Sequence, residues 1–208
     1  MAKLLGVRQQ RVQFFYDTDF LVNDAVTTGD NLARAQKQLF ASASIGDLTR
    51  SNMPSPGYLS GDQTFLTYAV RHEIGFYHMV GTGGLPAAVP NVATLHWATL
   101  HASTFRYQVG EKVEFEGPVT MTPAGGGPWG MVNDPVDPML TNGAPENKAI
   151  YVLPLPIAVS KRQGIRVEEL KNSISGTVTM DVVAAINAFT GFKAFRCYID
   201  GFNTRDVQ

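Results

Sequence analysis

Residues Asp47–Ile74, with the sequence DLTRSNMPSPGYLSGDQTFLTYAVRHEI, contain the pattern that decides the fold class. A polar run broken by prolines and glycines leads directly into a long segment whose side chains alternate between two faces. The alternation predicts one face with Leu66, Tyr68, Val70, His72 and Ile74, and another with Phe65, Thr67, Ala69, Arg71 and Glu73. A period of two is typical of a β-strand, so the segment predicts a β architecture.

The composition indicates one domain that is poor in charge. The 208 residues are enough for one substantial core, and we expect a single domain over 1–208 with a short N-terminal arm and a C-terminal tail. Charged residues make up only 17% of the chain, below the usual quarter of a soluble domain, while hydrophobic residues make up 44%. Such a surface is expected to be covered in part by neighbouring molecules, which favours an assembly subunit.

The charge, the termini and the single cysteine exclude several classes of protein. The net charge is −1, and the N-terminal arm carries only Lys3, Arg8 and Arg11, too few cations for a nucleic-acid-packaging tail. We therefore expect no direct sequence-specific nucleic-acid binding. No apolar run reaches the ~18 residues that span a bilayer, and the N-terminus lacks the apolar core of a signal peptide, so we expect a soluble protein. Cys197 alone cannot form an internal disulfide, and its apolar strand-like surroundings predict a buried, inert thiol.

The other segments predict mainly strands, with one helix in the middle of the chain. Asn91 is a candidate helix cap, and apolar residues follow it at helical spacing up to Phe105. A tight hairpin is predicted at Gly110–Glu111. Further strands are predicted at Val12–Tyr16, Val119–Met121, Ala149–Val159, Thr177–Ala185 and Phe192–Ile199, with a bend at Asp200–Gly201 and long loops at Leu48–Asp62 and Pro123–Pro145. Two segments stay ambiguous, Asp30–Phe40 (helical turn or strand) and Arg166–Ser173. About eight strands without regular helix alternation favour a sandwich or a barrel.

The histidines do not have the spacing of a metal site. His96 and His101 are five residues apart, which puts them on different faces of a helix or a strand. His72 and His78 share a face of a continuous strand but then lie roughly 20 Å apart. The HExxH spacing of zinc proteases is absent. We expect no bound metal; the alternative is a site in which His72, His78 or His101 acts with a carboxylate.

No other motif predicts catalysis or a cofactor. Gly125–Gly127 is not followed by the Lys-Ser/Thr of a phosphate-binding loop, and no Gly-x-Ser-x-Gly elbow occurs. Asp134 and Asp137 lie in a proline-stiffened segment without a third calcium ligand. Trp129, in a glycine- and proline-rich loop, is the residue that most resembles an interface anchor. We therefore expect no enzyme, no catalytic residue and no cofactor.

Three stretches resemble the single jelly-roll major capsid proteins of tailless icosahedral bacteriophages. The first runs from Leu39-Phe40 through DLTRSNM at Asp47–Met53 and Pro56-Gly57 to Gln63-Thr64-Phe65. The second is GIRVEEL at Gly164–Leu170, and the third is the ending YIDGFNTRDVQ at Tyr198–Gln208.

The resemblance implies an all-β, single jelly-roll sandwich of two four-stranded antiparallel sheets, with one short helix and long loops. It also implies a capsid subunit that is made in the host cytoplasm, resides in the virion and contacts copies of itself. Contact with a second capsid protein, an internal membrane or the genome stays open. The residues we expect in subunit contacts are Trp129, Pro128, Met53, Pro56, Tyr58, Phe202 and Arg205. The alternatives are a phage spike or carbohydrate-binding sandwich, and a metal-dependent β-sandwich enzyme.

Overall fold

Two antiparallel β-sheets, one of five strands and one of four, form the fold. The computed structural model describes residues 8–22, 33–40, 47–59, 63–77, 91–126, 130, 139–142, 150–176, 179–189 and 191–206. The strands are β1 Arg8–Val22, β2 Gln36–Leu39, β3 Thr64–Tyr77, β4 Ser103–Val109, β5 Lys112–Pro118, β6 Met139–Thr141, β7 Val152–Val159, β8 Ile165–Lys171 and β9 Phe192–Asp206. The helices are α1 Val92–Ala102 and α2 Val182–Ala188, with a 3₁₀ turn at Val119–Met121.

The strand order is that of a jelly roll. In the five-stranded sheet the order is β1-β9-β3-β6, with β7 also paired to β3, and in the four-stranded sheet it is β2-β8-β4-β5. The first strand thus pairs with the last, the second with the last but one, and β4 with β5, as in a long ribbon wound into a sandwich. The predicted all-β sandwich is confirmed.

Two details of the predicted architecture are wrong. The sheets are not both four-stranded, because β6 and β7 share the position beside β3: β6 pairs with Gly75–Tyr77 and β7 with Phe65–Ala69. A second helix, α2, is present where Thr177–Ala185 was predicted to be a strand. Asp181 caps this helix, accepting a hydrogen bond from the Ala184 N–H at 3.0 Å. The β-branched pair of valines that follows Asp181 gave the misleading strand signal.

The predicted assignment of side chains to the two faces of β3 is wrong at its start, because the strand contains a β-bulge. The pairing of β3 with both of its neighbours shifts register between Thr67 and Ala69. The inward side chains are Phe65 and Thr67 before the shift and Val70, His72, Ile74 and Phe76 after it. Leu66 and Tyr68 therefore do not share the face of the later residues, because one extra residue in a strand turns the side chains that follow it to the opposite face of the sheet.

The last strand, β9, runs straight through the predicted bend at Asp200–Gly201. Gly201 is required for another reason: a Cβ at this position would lie 2.3 Å from the Phe65 ring and 2.5 Å from the Leu66 carbonyl oxygen. On the same strand the thiol of Cys197 is fully buried, as predicted. Arg8 and Arg11, assigned to the N-terminal arm, lie in β1.

The helix and hairpin in the middle of the chain are confirmed. The side chain of Asn91 caps α1 by accepting a hydrogen bond from the Thr94 N–H at 2.8 Å. The helix ends at Ala102, so Phe105 lies in β4, and Gly110 turns the chain from β4 into β5 with φ 63°. Val119–Met121 is a 3₁₀ turn rather than a strand, and the ambiguous segments contain the strands β2 and β8.

Candidate interaction surface

Four fully buried ionisable side chains meet between the two sheets. We call Asp19 (β1), His72 (β3), Glu169 and Lys171 (both β8) the buried charge cluster. Lys171 Nζ forms an ion pair with Asp19 and lies 3.5 Å from Glu169 Oε2. His72 Nδ1 lies 2.7 Å from the Thr122 hydroxyl, and His72 Nε2 lies 3.8 Å from Glu169 Oε1. The cluster therefore links strands of opposite sheets.

Burial sets the protonation states within the cluster. Burial raises the pKa of Glu169 to about 8, although the Lys171 ammonium opposes the rise. Burial, helped by the same ammonium, lowers the pKa of His72 to about 3. Burial acts to lower the pKa of Lys171 as well, but the charges of Asp19 and Glu169 outweigh it and the net direction is upward. At neutral pH the cluster thus holds one ion pair, one neutral carboxyl group and one neutral imidazole.

The buried charge cluster and the described histidines do not form an open reaction site. The side chains of His72, Glu169, Lys171 and Asp19 have no exposed surface, so no substrate reaches them while the sandwich is intact. Among the described residues, no three His, Cys, Asp or Glu side chains lie close enough to hold a metal ion. His96 is buried and His101 exposed, so the two point to different sides, as their spacing predicted. His78, Asp134 and Asp137 lie outside the described residues.

We expect the free energy of unfolding to fall as the pH rises from 6.5 to 8. Glu169 has a folded pKa of about 8 and an ordinary value of 4.5, so between them the folded state holds the extra proton and loses stability with rising pH. Up to pH 6.5 this loss is offset by His72 and His96, whose pKa values burial lowers from 6.5 to about 3 and about 4, because the folded state then holds fewer protons. Urea unfolding of the wild type and Glu169→Gln across this range measures the effect. The variant should show no fall above pH 6.5 and instead a small rise, because the unfolded state still loses the last protons of His72 and His96 there. An unchanged fall would contradict the assignment to Glu169.

The outer face of the five-stranded sheet carries exposed apolar side chains. Val12 is 73% exposed, Phe14 51% and Leu66 37%. Val12 lies opposite Phe202, and Phe202 opposite Leu66, so one apolar row crosses β1, β9 and β3. The Tyr68 ring packs beside that of Phe202, with 5.5 Å between their centroids. We call Val12, Phe14, Leu66, Tyr68 and Phe202 the outer apolar face.

The row continues onto β7, which protrudes. Ala158 lies opposite Leu66, but the register then jumps from Thr67↔Ile157 to Ala69↔Val152. The chain between those pairs contains Pro154 and Pro156, neither of which can donate a ladder hydrogen bond. Leu155, between the two prolines, is 82% exposed as a result.

Three charged residues on the same side of the sheet, Arg71, Asp200 and Glu73, already have partners within the subunit. Arg71 Nη2 lies 2.9 Å from Asp200 Oδ1, and the Arg71 guanidinium lies 5.0 Å from the centroid of the Tyr198 ring. The Tyr198 hydroxyl donates a hydrogen bond to Glu73. Burial, and to a smaller extent this hydrogen bond, raises the pKa of Tyr198 to about 12. Because these charges satisfy one another, a partner that covers the face does not have to neutralise them.

The loop before β3 covers one end of the outer face. The Tyr16 hydroxyl donates to the Leu48 carbonyl oxygen, and Arg196 Nη2 donates to the Thr49 carbonyl oxygen at 3.2 Å. Leu48 itself is 71% exposed on top of this cover. The apolar end that includes Val12 and Leu66 is not covered by this loop, which leaves it accessible among the described residues.

The residues predicted for subunit contacts lie in three different environments. Phe202 is half-buried in the outer apolar face, whereas Met53 is 4% exposed and packs in the core. Pro56 and Tyr58 line a cleft of about 540 Å³ at the loop end of the sandwich. Arg205 belongs to β9, but its side chain lies outside the described set, as do Pro128 and Trp129 in full.

Sequence reasoning missed Val12, Phe14 and Leu66 as surface residues. In β1 the apolar residues Phe14, Phe15 and Tyr16 are consecutive, so alternation alone does not tell which face is buried. In β3 the bulge interrupts the alternation, so the sequence pattern does not show that Leu66 lies on the outer face.

Comparisons with known proteins add no relative to this description: no family model, no curated protein and no solved structure matches the chain. Within the described part of the chain, no helix is both long enough and apolar enough to cross a membrane.

Proposed function

We propose that this protein is a structural virion protein, a capsid subunit that assembles with copies of itself into an icosahedral shell. The observation that carries the proposal is the outer apolar face of the jelly-roll sandwich, where Val12, Phe14 and Leu66 are each more than a third exposed. A contiguous apolar patch on a folded subunit is typical of a surface that another protein covers.

Three further features support the same function. The jelly-roll strand order is shared by many viral shell proteins. The described residues of the three stretches that resemble phage capsid proteins lie between the end of β2 and the start of β3, at and just before β8, and at the end of β9. The low charged fraction of 17% suits a molecule whose surface is largely covered after assembly.

Assembly on this face works by burial of apolar area repeated around a symmetric particle. Stable protein contacts bury at least ~1,200 Å² in total. The outer apolar face and the protruding Leu155 provide the apolar centre of such a contact, and the internally paired Arg71–Asp200 lies beside it. The partners in this proposal are other copies of this chain, and the location is the virion.

Lysine substitutions on the outer apolar face should block assembly without unfolding the subunit. We expect Phe14→Lys/Leu66→Lys to weaken self-association at least tenfold, because the ammonium groups would have to be buried in the contact. Sedimentation velocity over a concentration series gives the association, and thermal unfolding confirms the fold.

The matched control is Val113→Lys/Met121→Lys, whose parent side chains are similarly exposed (41% and 44%) but lie outside the five-stranded sheet. Equal loss of association in both double variants would show that the outer apolar face is not the contact.

A carbohydrate-binding sandwich, as in a phage spike, is the second candidate. Trp97 is 56% exposed and stacks on His101 with 4.4 Å between ring centroids, a flat aromatic surface of the kind on which sugars stack. A wild-type monomer that binds a glycan array, and loses binding in Trp97→Ala, would favour this candidate over the capsid subunit.

A further inference from the structure

Among the described residues, the outer edge of β1 is covered over only part of its length. β1 is at the end of its sheet, and the described strand that pairs with it is β9. At Tyr16 the N–H donates to Asn52 Oδ1 at 2.8 Å, and the carbonyl oxygen accepts from the Asn52 N–H at 3.3 Å. Asn52 Nδ2 also donates to the Phe14 carbonyl oxygen at 2.9 Å. Asn52 therefore takes the place of a neighbouring strand beside Phe14–Tyr16.

The described part of the chain leaves the backbone groups nearer the start of this edge without a partner. The register between β1 and β9 runs without a shift from Arg8 to Thr18, so successive residues of β1 face β9 and the outer edge in turn. Since Tyr16 faces the outer edge, Val12 and Gln10 face it as well. No described residue bonds to the backbone of Gln10 or Val12 at this edge. A row of unpaired donors and acceptors is a template for another strand.

The open edge adjoins the apolar side chains that the proposed function relies on. Val12 and Phe14 are 73% and 51% exposed and stand on the outer face of the same strand. A strand added at this edge would cover both side chains while it satisfies the backbone, and it would extend the row from Val12 to Phe202 and Leu66.

We propose that β1 of a second copy pairs antiparallel with this open edge across a two-fold axis, with Val12 opposite Val12 of the second copy. This inference rests on the proposed function and names one contact within it. An isologous pair needs no partner other than the chain itself, since the same edge serves both copies.

The register follows from charge and burial. A two-fold antiparallel pair can centre on Gln10, Arg11 or Val12. Centring on Arg11 sets two arginines opposite each other, which is unfavourable. Centring on Gln10 pairs only Arg8–Val12 of each described strand and sets Phe14 opposite Gly6, outside the described residues. Centring on Val12 places Arg11 opposite Gln13, and it covers both Val12 and Phe14.

Cysteine cross-linking of the otherwise wild-type chain tests both the pairing and the register. The native Cys197 is buried and needs no replacement. In the proposed register the Cα atoms of two copies of Val12 lie about 5.5 Å apart, within the range that a disulfide spans. Two copies of Gln10 are offset by four residues, about 13 Å, which is beyond that range.

We expect Val12→Cys to form a disulfide dimer under mild oxidation, and Gln10→Cys not to. A mixture of Gln10→Cys and Phe14→Cys should give the mixed dimer, because these positions are opposite each other. Dimers of Gln10→Cys alone would overturn the register. Absence of every cross-link in a protein that still sediments as an oligomer would overturn the pairing and leave the capsid proposal standing, whereas a chain that stays monomeric throughout would overturn both.

Discussion

Lys171→Met is expected to lower the free energy of unfolding by about 3–5 kcal/mol, because it leaves the buried Asp19 carboxylate without its cation. The two side chains have no exposed surface, so water cannot replace the lost ammonium group. Methionine retains the length of the lysine stem, so the change tests the charge rather than a cavity. Urea unfolding under conditions that keep the protein monomeric should show a lower midpoint with an unchanged slope.

Two controls separate the charge from the packing. Lys112→Met removes an ammonium group that is 74% exposed and pairs with Glu114 at 3.0 Å, and it should change stability by no more than about 0.5 kcal/mol. Asp19→Asn/Lys171→Met removes both charges of the buried pair and should recover much of the loss. A double variant as unstable as Lys171→Met alone would show that the lysine acts through something other than its charge.

Gly201→Ala should destabilise the subunit by about 3 kcal/mol, because the added Cβ has no space between β9 and β3. It would lie 2.3 Å from the Phe65 ring and 2.5 Å from the Leu66 carbonyl oxygen, and a backbone atom cannot move aside as a flexible side chain can. The loss corresponds to a fall in the melting temperature of about 6–12 °C for a domain of this size.

Gly164→Ala is the matched control for this substitution. A Cβ on Gly164 would meet its nearest atom, the Gly57 carbonyl oxygen, at an ordinary 3.6 Å. We expect a change within about 0.5 kcal/mol. If Gly201→Ala had the same melting temperature as Gly164→Ala and the wild type, the close approach of β9 to Phe65 would be refuted.

The fold class could be predicted from the sequence because its signals are local. Alternation in β3, the turn at Gly110 and the cap at Asn91 each depend on neighbouring residues, and each is present in the structure. Two of the errors arose where long-range packing decides. The bulge after Thr67 depends on the pairing of β3 with β7 and β9. Gly201 is needed because β9 approaches Phe65 and Leu66 closely there, and not because the chain bends.

The buried charge cluster and the outer apolar face carry no local signal. Asp19 and Lys171 come from opposite sheets and are separated by most of the chain, so only the closed sandwich brings them together. Val12 and Phe14 alternate with residues that pack inward, and their hydrophobicity alone predicts burial. Knowledge of which sheet face has no second layer is needed before they can be recognised as a contact surface.

The solution mass of the purified wild-type chain tests the capsid proposal most directly. Sedimentation velocity over a concentration series, with electron microscopy of the same fractions, should show association that grows with concentration and ends in closed particles. A single species of 22.6 kDa at every concentration, with no particles on the grids, would contradict the proposal that this jelly roll builds a shell from copies of itself.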